Sequence, residues 1–498
     1  MPVIPFAEWR PDMPDLSQWA REALNVIPAE ESYRPLNALS SVTNALTARA
    51  QGAAWFRGTA GAVKMFAGDT TKLYLLAGTT WSDVSRTVGG AYAPGADGAW
   101  RFTQFGTLAI AVNGVDAPQK FDLAAGTNWT ALGGSPPIGT YICTVKNFVL
   151  MGKIGSTPQR VQYSGIDNAE IWGAVAANQA GFQAGDVAAV GQVLEAGLVG
   201  GELGVIFQEA AVRRMTYEGA PVVFRIDKIA NDLGCSVPGS VAGLLDRAFF
   251  VHKSGFYMVQ GGQAITPIGR GKVDRTFWAE FDETNQFRCS AAIDPVRGLY
   301  IFAYPANGNG GVPNRLLIYN WTTERWAHAQ VACELVFGGV SQQGYTVEQL
   351  DPFGTVDTLP YSTDSSFWTG TVSLLLFAFD TSHKSGSFSG PTLAATVETG
   401  EFNPSAMLGT GPGNGMRSVI RGCRPLIDGG SPQIQLGCRE TQQVAANYGP
   451  IVGLTPAGLA PVLQSGRYFR ARASMPAGAT WSNMQGIDDV DARPAGGQ

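Results

Sequence analysis

The stretch from Trp100 to Trp129, WRFTQFGTLAIAVNGVDAPQKFDLAAGTNW, decides the fold. Its apolar and polar residues alternate over runs of about five, too short for a helix face and suited to half-buried strands. Residues 100–105 read as one strand, 108–112 as the next, Asn113-Gly114 as a turn, and 119–123 as a third, with Trp129 after it. A second stretch repeats the plan. Residues 289–293 pass through Asp294-Pro-Val-Arg-Gly298, a turn with proline at its second position, into 299–304, followed by 315–319 and Trp326.

The unit recurs along the chain. An aromatic residue that ends a strand is followed seven to nine residues later by tryptophan at Tyr74/Trp81, Phe121/Trp129, Tyr163/Trp172 and Tyr319/Trp326. The intervals Trp81–Trp129 and Trp278–Trp326 are 48 residues, Trp129–Trp172 is 43 and Trp326–Trp368 is 42, within the roughly 40–50 of one propeller blade. Further β units fall at 203–207 with 212–217, and at 247–251 with 256–259, around Tyr217 and Tyr257. The expected fold is therefore all-β: a β-propeller of about six or seven blades over residues 51–400. An N-terminal arm (1–50) precedes it and a small sandwich-like β domain (401–498) follows.

Within the arm, prolines punctuate Phe6-Ala-Glu-Trp-Arg-Pro-Asp, residues 16–26 could make a short helix, and Pro28 and Pro35 interrupt again. Trp9, Arg10, Tyr33 and Arg34 are its anchoring candidates, either on its own domain or on a neighbouring subunit. In the C-terminal region the glycine-rich segment 409–415 reads as a loop, and Arg467, Arg470 and Arg472 around Tyr468 and Phe469 read as a solvated strand edge or as a patch facing a partner or phosphate.

Composition narrows the function classes. Sixty-three glycines and 29 prolines without a short period imply many tight turns. Thirty-five basic against 40 acidic residues leave a net charge of −5 with no basic run, which argues against tight nucleic-acid binding. A weakly acidic wall would let DNA slide past it. The apolar run 372–379 is too short for a membrane helix, which needs about 20 residues, and the first residues lack a signal-peptide pattern, so folding in the cytosol is expected. Six scattered cysteines without CxxC spacing read as free thiols in strands, serving as small buried hydrophobes.

Catalytic motifs are missing: there is no GxSxG, HExxH, phosphate loop or GxGxxG. His252, His328 and His383 sit in unrelated contexts, so no metal, cofactor or catalytic residue is assigned. Propeller glycosidases need two acids facing one pocket, and Asp294, Asp351, Asp357 and Asp380 are candidates by type alone, Asp294 being better explained as a turn opener. Residues 362–368 match a sialidase box poorly. Asp488-Asp-Val-Asp491 lacks the glycine and distal glutamate of a calcium loop, and the Asn-Trp-Thr triplets at 128 and 320 read as blade-end turns.

Taken together, four segments resemble the propeller-type nozzle or tail-hub proteins of short-tailed bacteriophages, also described as packaged-DNA stabilisation proteins. They are Phe6-Ala-Glu-Trp-Arg-Pro-Asp with Asn25-Val-Ile-Pro; Trp100-Arg-Phe-Thr-Gln-Phe-Gly with Ala111-Val-Asn-Gly; Gly201-Glu-Leu-Gly-Val-Ile-Phe-Gln-Glu with Arg213-Arg-Met; and Arg315-Leu-Leu-Ile-Tyr-Asn-Trp. The resemblance implies a non-enzymatic virion protein in a homo-oligomeric, usually hexameric, ring beneath portal and adaptor. Such a ring would contact the tail adaptor and a tail fibre or spike, and let DNA pass without sequence-specific binding. It carries over no individual residue. The competing reading is a carbohydrate-binding or glycan-cleaving propeller tail protein.

Overall fold

The computed structural model describes residues 3–58, 62–173, 177–184, 197–244, 246–340, 354–359, 362, 374–404 and 416–495. The chain is an all-β protein built on a propeller. Six separate four-stranded antiparallel sheets and the first four strands of a nine-stranded sheet follow one another as seven blades. Their innermost strands are Gly52–Arg57, Arg101–Phe105, Gly139–Val145, Gly197–Val199, Ala242–Leu244, Ser290–Asp294 and Leu335–Val340, in blades 1 to 7.

Seven separate apolar cores lie between these blades. Phe337, Phe377 and Phe379 of blade 7 meet Met65, Tyr74 and Trp81 of blade 1. Further cores join blades 1 and 2, 2 and 3, 3 and 4, 4 and 5, and 6 and 7. The core between blades 5 and 6, with Phe249 and Phe256 against Tyr300 and Phe302, runs on into a second lobe.

The periodic tryptophans act as wedges in these cores. Trp129 of blade 2 packs edge-on against Phe66 of blade 1, ring centroids 5.1 Å apart. Trp326 of blade 6 meets Phe256 of blade 5 at 5.0 Å and donates from Nε1 to the Ile268 carbonyl at 2.9 Å. Trp81 of blade 1 meets Phe379 of blade 7 at 5.6 Å and donates to Ser385 Oγ at 3.1 Å. Trp172 shares a core with Ile110 and Val112 of blade 2. Trp278 is not such a wedge: it lies in the helix Asp274–Glu280 that precedes blade 6, so its 48-residue interval to Trp326 matches the blade period by coincidence. Trp368 lies outside the described residues.

The N-terminal segment is threaded through the molecule. Ser40–Ser41 supply the outer strand of blade 7, pairing with Ser387 and Gly386. Residues 16–26 form no helix. Glu22–Leu24 instead form a strand, parallel to blade 6 at His328 and antiparallel to Ala395–Glu398, and Asn25 follows in the left-handed conformation (φ 58°). Two open strand edges satisfy this segment's backbone groups, which outweighs its weak helical propensity.

Ile4–Pro5 and Ser32–Pro35 pair with Trp481–Asp488. The second lobe is thus built from both chain regions: one sheet holds these strands and Arg424–Gly429, and another continues blade 6 through Ala395–Glu398, Tyr468–Met475 and Gln433–Arg439. The segment 409–415 lies outside the described residues. All six cysteines are free and buried, but only Cys143 and Cys438 lie in strands; Cys235, Cys289, Cys333 and Cys423 sit in the connecting segments, where the same cores cover them.

Asp12 caps a helix from across the fold. Val273 occupies the N-cap of Asp274–Glu280 and offers no side-chain oxygen. Asp12 accepts from Arg275 N at 2.8 Å, Thr276 N at 2.9 Å and Thr276 Oγ1 at 2.7 Å. Beneath it Asp274 accepts from Phe256 N at 3.0 Å, and its carboxylate fills the space where a Cβ on Gly255 or Gly269 would stand, 2.0 and 1.9 Å away. Burial, with Asp12 nearby, pushes the Asp274 carboxyl up to about 6.

The raised value means that stability falls as pH climbs from the unfolded value near 4 to about 6 and stays reduced above it. Asp274→Asn keeps the acceptor for Phe256 N without the charge. It should be more stable than the parent by about 1 kcal/mol at pH 7, after allowance for solvent screening, and equal to it below pH ~4, measured by urea unfolding at several pH values. Asp12→Ala, by contrast, should cost about 1–2 kcal/mol at pH 7 in the same assay.

Candidate functional site

The seven inner strands surround an axial cavity of about 1140 Å³, lined by Gly52, Trp100, Tyr141, Gly200, Ser290 and Val336 among others. Its wall is mostly backbone and small side chains. The acids that line it, Glu202 and Asp246, lie 3.6 Å from Lys146 and 3.8 Å from Arg247. Arg101 lies over the Tyr141 ring at 5.8 Å. Burial pushes the Cys143 thiol up to about 12, which keeps it protonated and unreactive at neutral pH.

None of the carboxylates named from sequence among the described residues lines this cavity. Asp294 accepts from Val296 N at 3.0 Å and Arg297 N at 3.1 Å, as the opener of its turn. Asp380 does the same for Ser382 N and Lys384 N. Asp357 is exposed in the short turn Val356–Thr358, and Asp351 and the 363–368 part of the sialidase-like box lie outside the described residues. Asp489 and Asp491 pair with Arg424 at 2.8 Å and Arg493 at 3.5 Å.

The arm candidates are mostly committed within the chain. Trp9 is buried, stacks on His328 with centroids 4.5 Å apart and donates to the Arg21 carbonyl at 3.2 Å. Arg10 binds Glu8 at 2.6 Å and lies 3.6 Å over the Trp19 ring. Tyr33 is fully buried, donates to the Ala7 carbonyl at 2.8 Å and carries the Arg325 guanidinium 4.8 Å above its ring. Arg34 alone of the four is exposed.

The C-terminal arginines form a site that sequence reasoning misread. Tyr468–Met475 is no sheet edge, because it pairs with Ala395–Glu398 on one side and Gln433–Arg439 on the other. Arg472 meets Glu398 at 2.6 Å, Arg470 meets Asp15 at 2.8 Å, and Arg439 grips Glu401 with two bonds of 2.5 Å. Burial alone would raise the Asp15 carboxyl, but Arg470 and Arg21 hold it below its ordinary value.

Tyr448 donates to Glu398 at 2.5 Å, and burial together with that carboxylate lifts its hydroxyl to about 12. The network extends through Glu22, which bonds His328 Nε2. It joins the N-terminal segment, blade 6 and the second lobe. The Glu398 and Glu401 partners lie some 40 to 70 residues from the arginines, so no local pattern could reveal it.

No protein-family description matches the chain, and comparison with curated proteins finds no relative. Among solved structures the chain is similar to BamB from Moraxella catarrhalis (11% identity over 63% of this chain and 87% of that one, TM-score 0.33). It is also similar to YCF48 bound to D1 peptide (13%, 61% and 86%, TM-score 0.35) and to a chain of the mitotic checkpoint complex (9%, 72% and 95%, TM-score 0.38). Likeness this distant carries no functional argument, and the seven sheets themselves define the propeller.

Glu401 is fully buried and Arg439 almost so, with side-chain exposures of 0% and 4%. Glu401→Ala should therefore destabilise by about 3 kcal/mol, because it leaves the buried guanidinium with Asp15, at 3.4 Å, as its remaining counter-charge, whereas Glu401→Leu with Arg439→Met should return most of the loss. Urea unfolding of the single variant and of the double variant checks this.

Proposed function

We propose that this chain is a structural subunit of a bacteriophage tail tip, a nozzle or hub that assembles as a ring, continues the DNA channel and retains packaged DNA until ejection. The observation that carries the reading is the threading of residues 4–41 through blade 7, blade 6 and the second lobe, which makes propeller and lobe one stiff body. A ring that confines DNA under pressure needs subunits that resist deformation, and a closed propeller with an internally fastened arm meets that need.

Three further features support the reading. The four sequence segments that resemble nozzle proteins supply structural parts of this body: the arm, the first two strands of blade 2, the middle of blade 4 and the third strand of blade 6. The charged cavity residues Glu202 and Asp246 are matched by neighbouring cations instead of converging on a common point. The net charge of −5 suits a surface past which DNA slides. Partners on this reading are further copies of the chain, the tail adaptor, and a fibre or spike, with Arg34 as the exposed arm residue available to them.

Electron microscopy of particles carrying an epitope tag on this protein should place the label in a ring on the tail axis, and native mass spectrometry of the purified chain with its adaptor should give a closed, hexameric ring. Label confined to peripheral fibres would overturn the proposal and turn attention to glycan binding or hydrolysis.

A further inference from the structure

Four asparagine–glycine pairs occur in the sequence, at 113–114, 307–308, 309–310 and 414–415, the last outside the described residues. Glycine has no Cβ to shield its backbone nitrogen, so in such a pair that nitrogen can reach the side-chain carbonyl of the asparagine before it. Whether it does depends on the freedom of the amide, and the fold treats the three described pairs differently.

Asn113 is locked. It is buried, its Oδ1 accepts from Val115 N at 3.0 Å and Asp116 N at 2.8 Å, and its Nδ2 donates to Asp116 at 2.8 Å. A Cβ on Gly114 would stand 2.7 Å from Thr140 Oγ1, so the space around the glycine is taken as well. Asn309 is half-buried, and its Nδ2 donates to the Val312 carbonyl at 2.7 Å.

Asn307 is neither buried nor engaged. It lies in the connection between Leu299–Tyr304 and Arg315–Asn320 of blade 6, second in a turn closed by Asn309 N donating to the Ala306 carbonyl at 3.2 Å. Gly308 follows at φ 82°, with open space where a Cβ would stand. Among the described residues neither the Asn307 side chain nor Gly308 N has a hydrogen-bond partner. The Asn307 backbone is held, its N–H donating to the Glu280 carbonyl at 2.8 Å, so the side chain is free on a fixed turn.

We propose that Asn307 is a self-modification site, at which the folded chain converts the asparagine to aspartyl and isoaspartyl residues while Asn113 and Asn309 persist. Gly308 N, giving up its proton, attacks Asn307 Cγ. The new C–N bond closes a succinimide ring, the Cγ–Nδ2 bond breaks, and Nδ2 leaves with that proton as ammonia. Water then adds to either ring carbonyl. Opening at Cγ restores the ordinary backbone with an aspartate side chain, and opening at the backbone carbonyl carbon leaves the chain running through Cγ as isoaspartate. Nothing is oxidised or reduced, and either product adds a negative charge to the turn. The site is independent of the tail-hub reading.

The test is prolonged incubation of the full chain in mildly alkaline buffer at body temperature, folded and in parallel unfolded in guanidinium chloride. Peptide mapping by mass spectrometry under mildly acidic conditions, which halt the reaction, then follows the exchange of amide for acid, with fragment ions separating position 307 from 309. In the folded chain Asn307 should convert several-fold faster than Asn113 and Asn309, and its peptide should split into aspartyl and isoaspartyl species of equal mass. In the unfolded chain all three should convert at similar rates. Asn307→Gln, whose longer side chain closes its ring far more slowly, should show no conversion at 307 over the same interval. Conversion of Asn307 no faster than that of Asn113 or Asn309 in the folded chain, an equal lag of those two in guanidinium chloride, or conversion without the isoaspartyl species would overturn the proposal.

Discussion

Everything in this molecule depends on the packing of one blade's apolar face against the next. A four-stranded antiparallel sheet has two faces, and in a closed ring each must be covered by a neighbour. Seven separate cores between seven blades are the direct expression of that constraint. Bulky groups fill the widening gap away from the axis: Trp81, Trp129 and Trp326 lie in outer strands or just before them and reach the preceding blade. Near the axis, where the sheets converge, the chain uses small residues, and a Cβ on Gly52 would stand 2.3 Å from the Trp100 carbonyl oxygen.

A ring of this kind has one seam, and here the seam is closed by residues from the opposite end of the sequence. Ser40–Ser41 complete blade 7, and Thr43 accepts from Ser385 N at 2.8 Å. The same N-terminal segment then secures the second lobe through strands at one end and charges at the other. Asp15 reaches Arg470, while Glu22 reaches His328. Beside them the Arg439–Glu401 pair is buried and geometrically matched, which favours one arrangement of lobe on propeller over near alternatives, a role in specificity more than in net stability.

Strand periodicity made the propeller legible, because alternation, turn residues and a recurring tryptophan all reflect local chemistry repeated once per blade. Leu108–Val112 and Leu299–Tyr304 have the bounds that alternation implies. The arm was legible only as an interruption. Its prolines and isolated aromatics mark non-repeating chain, but Glu22–Leu24 becomes a strand solely because blade 6 and Ala395–Glu398 leave edges that it can bridge. The second lobe's arginine network was opaque for the same reason, since its partners come from Asp15, Glu398, Glu401 and Arg439.

The seam also dictates when the fold can be finished. Thr43 and Ser385 are 342 residues apart in the chain, so the strand that fastens blade 7 is made early and its partner late. During synthesis the first blades can pack in order, but blade 1 waits with the Met65, Tyr74 and Trp81 side of its sheet uncovered until Phe337, Phe377 and Phe379 arrive. Until then a growing chain carries an exposed aromatic face and an unpaired terminal strand, the two features that make assembly intermediates adhere to one another. Ring closure is therefore the molecule's period of greatest vulnerability, and any cell that makes this protein must shelter it through that interval.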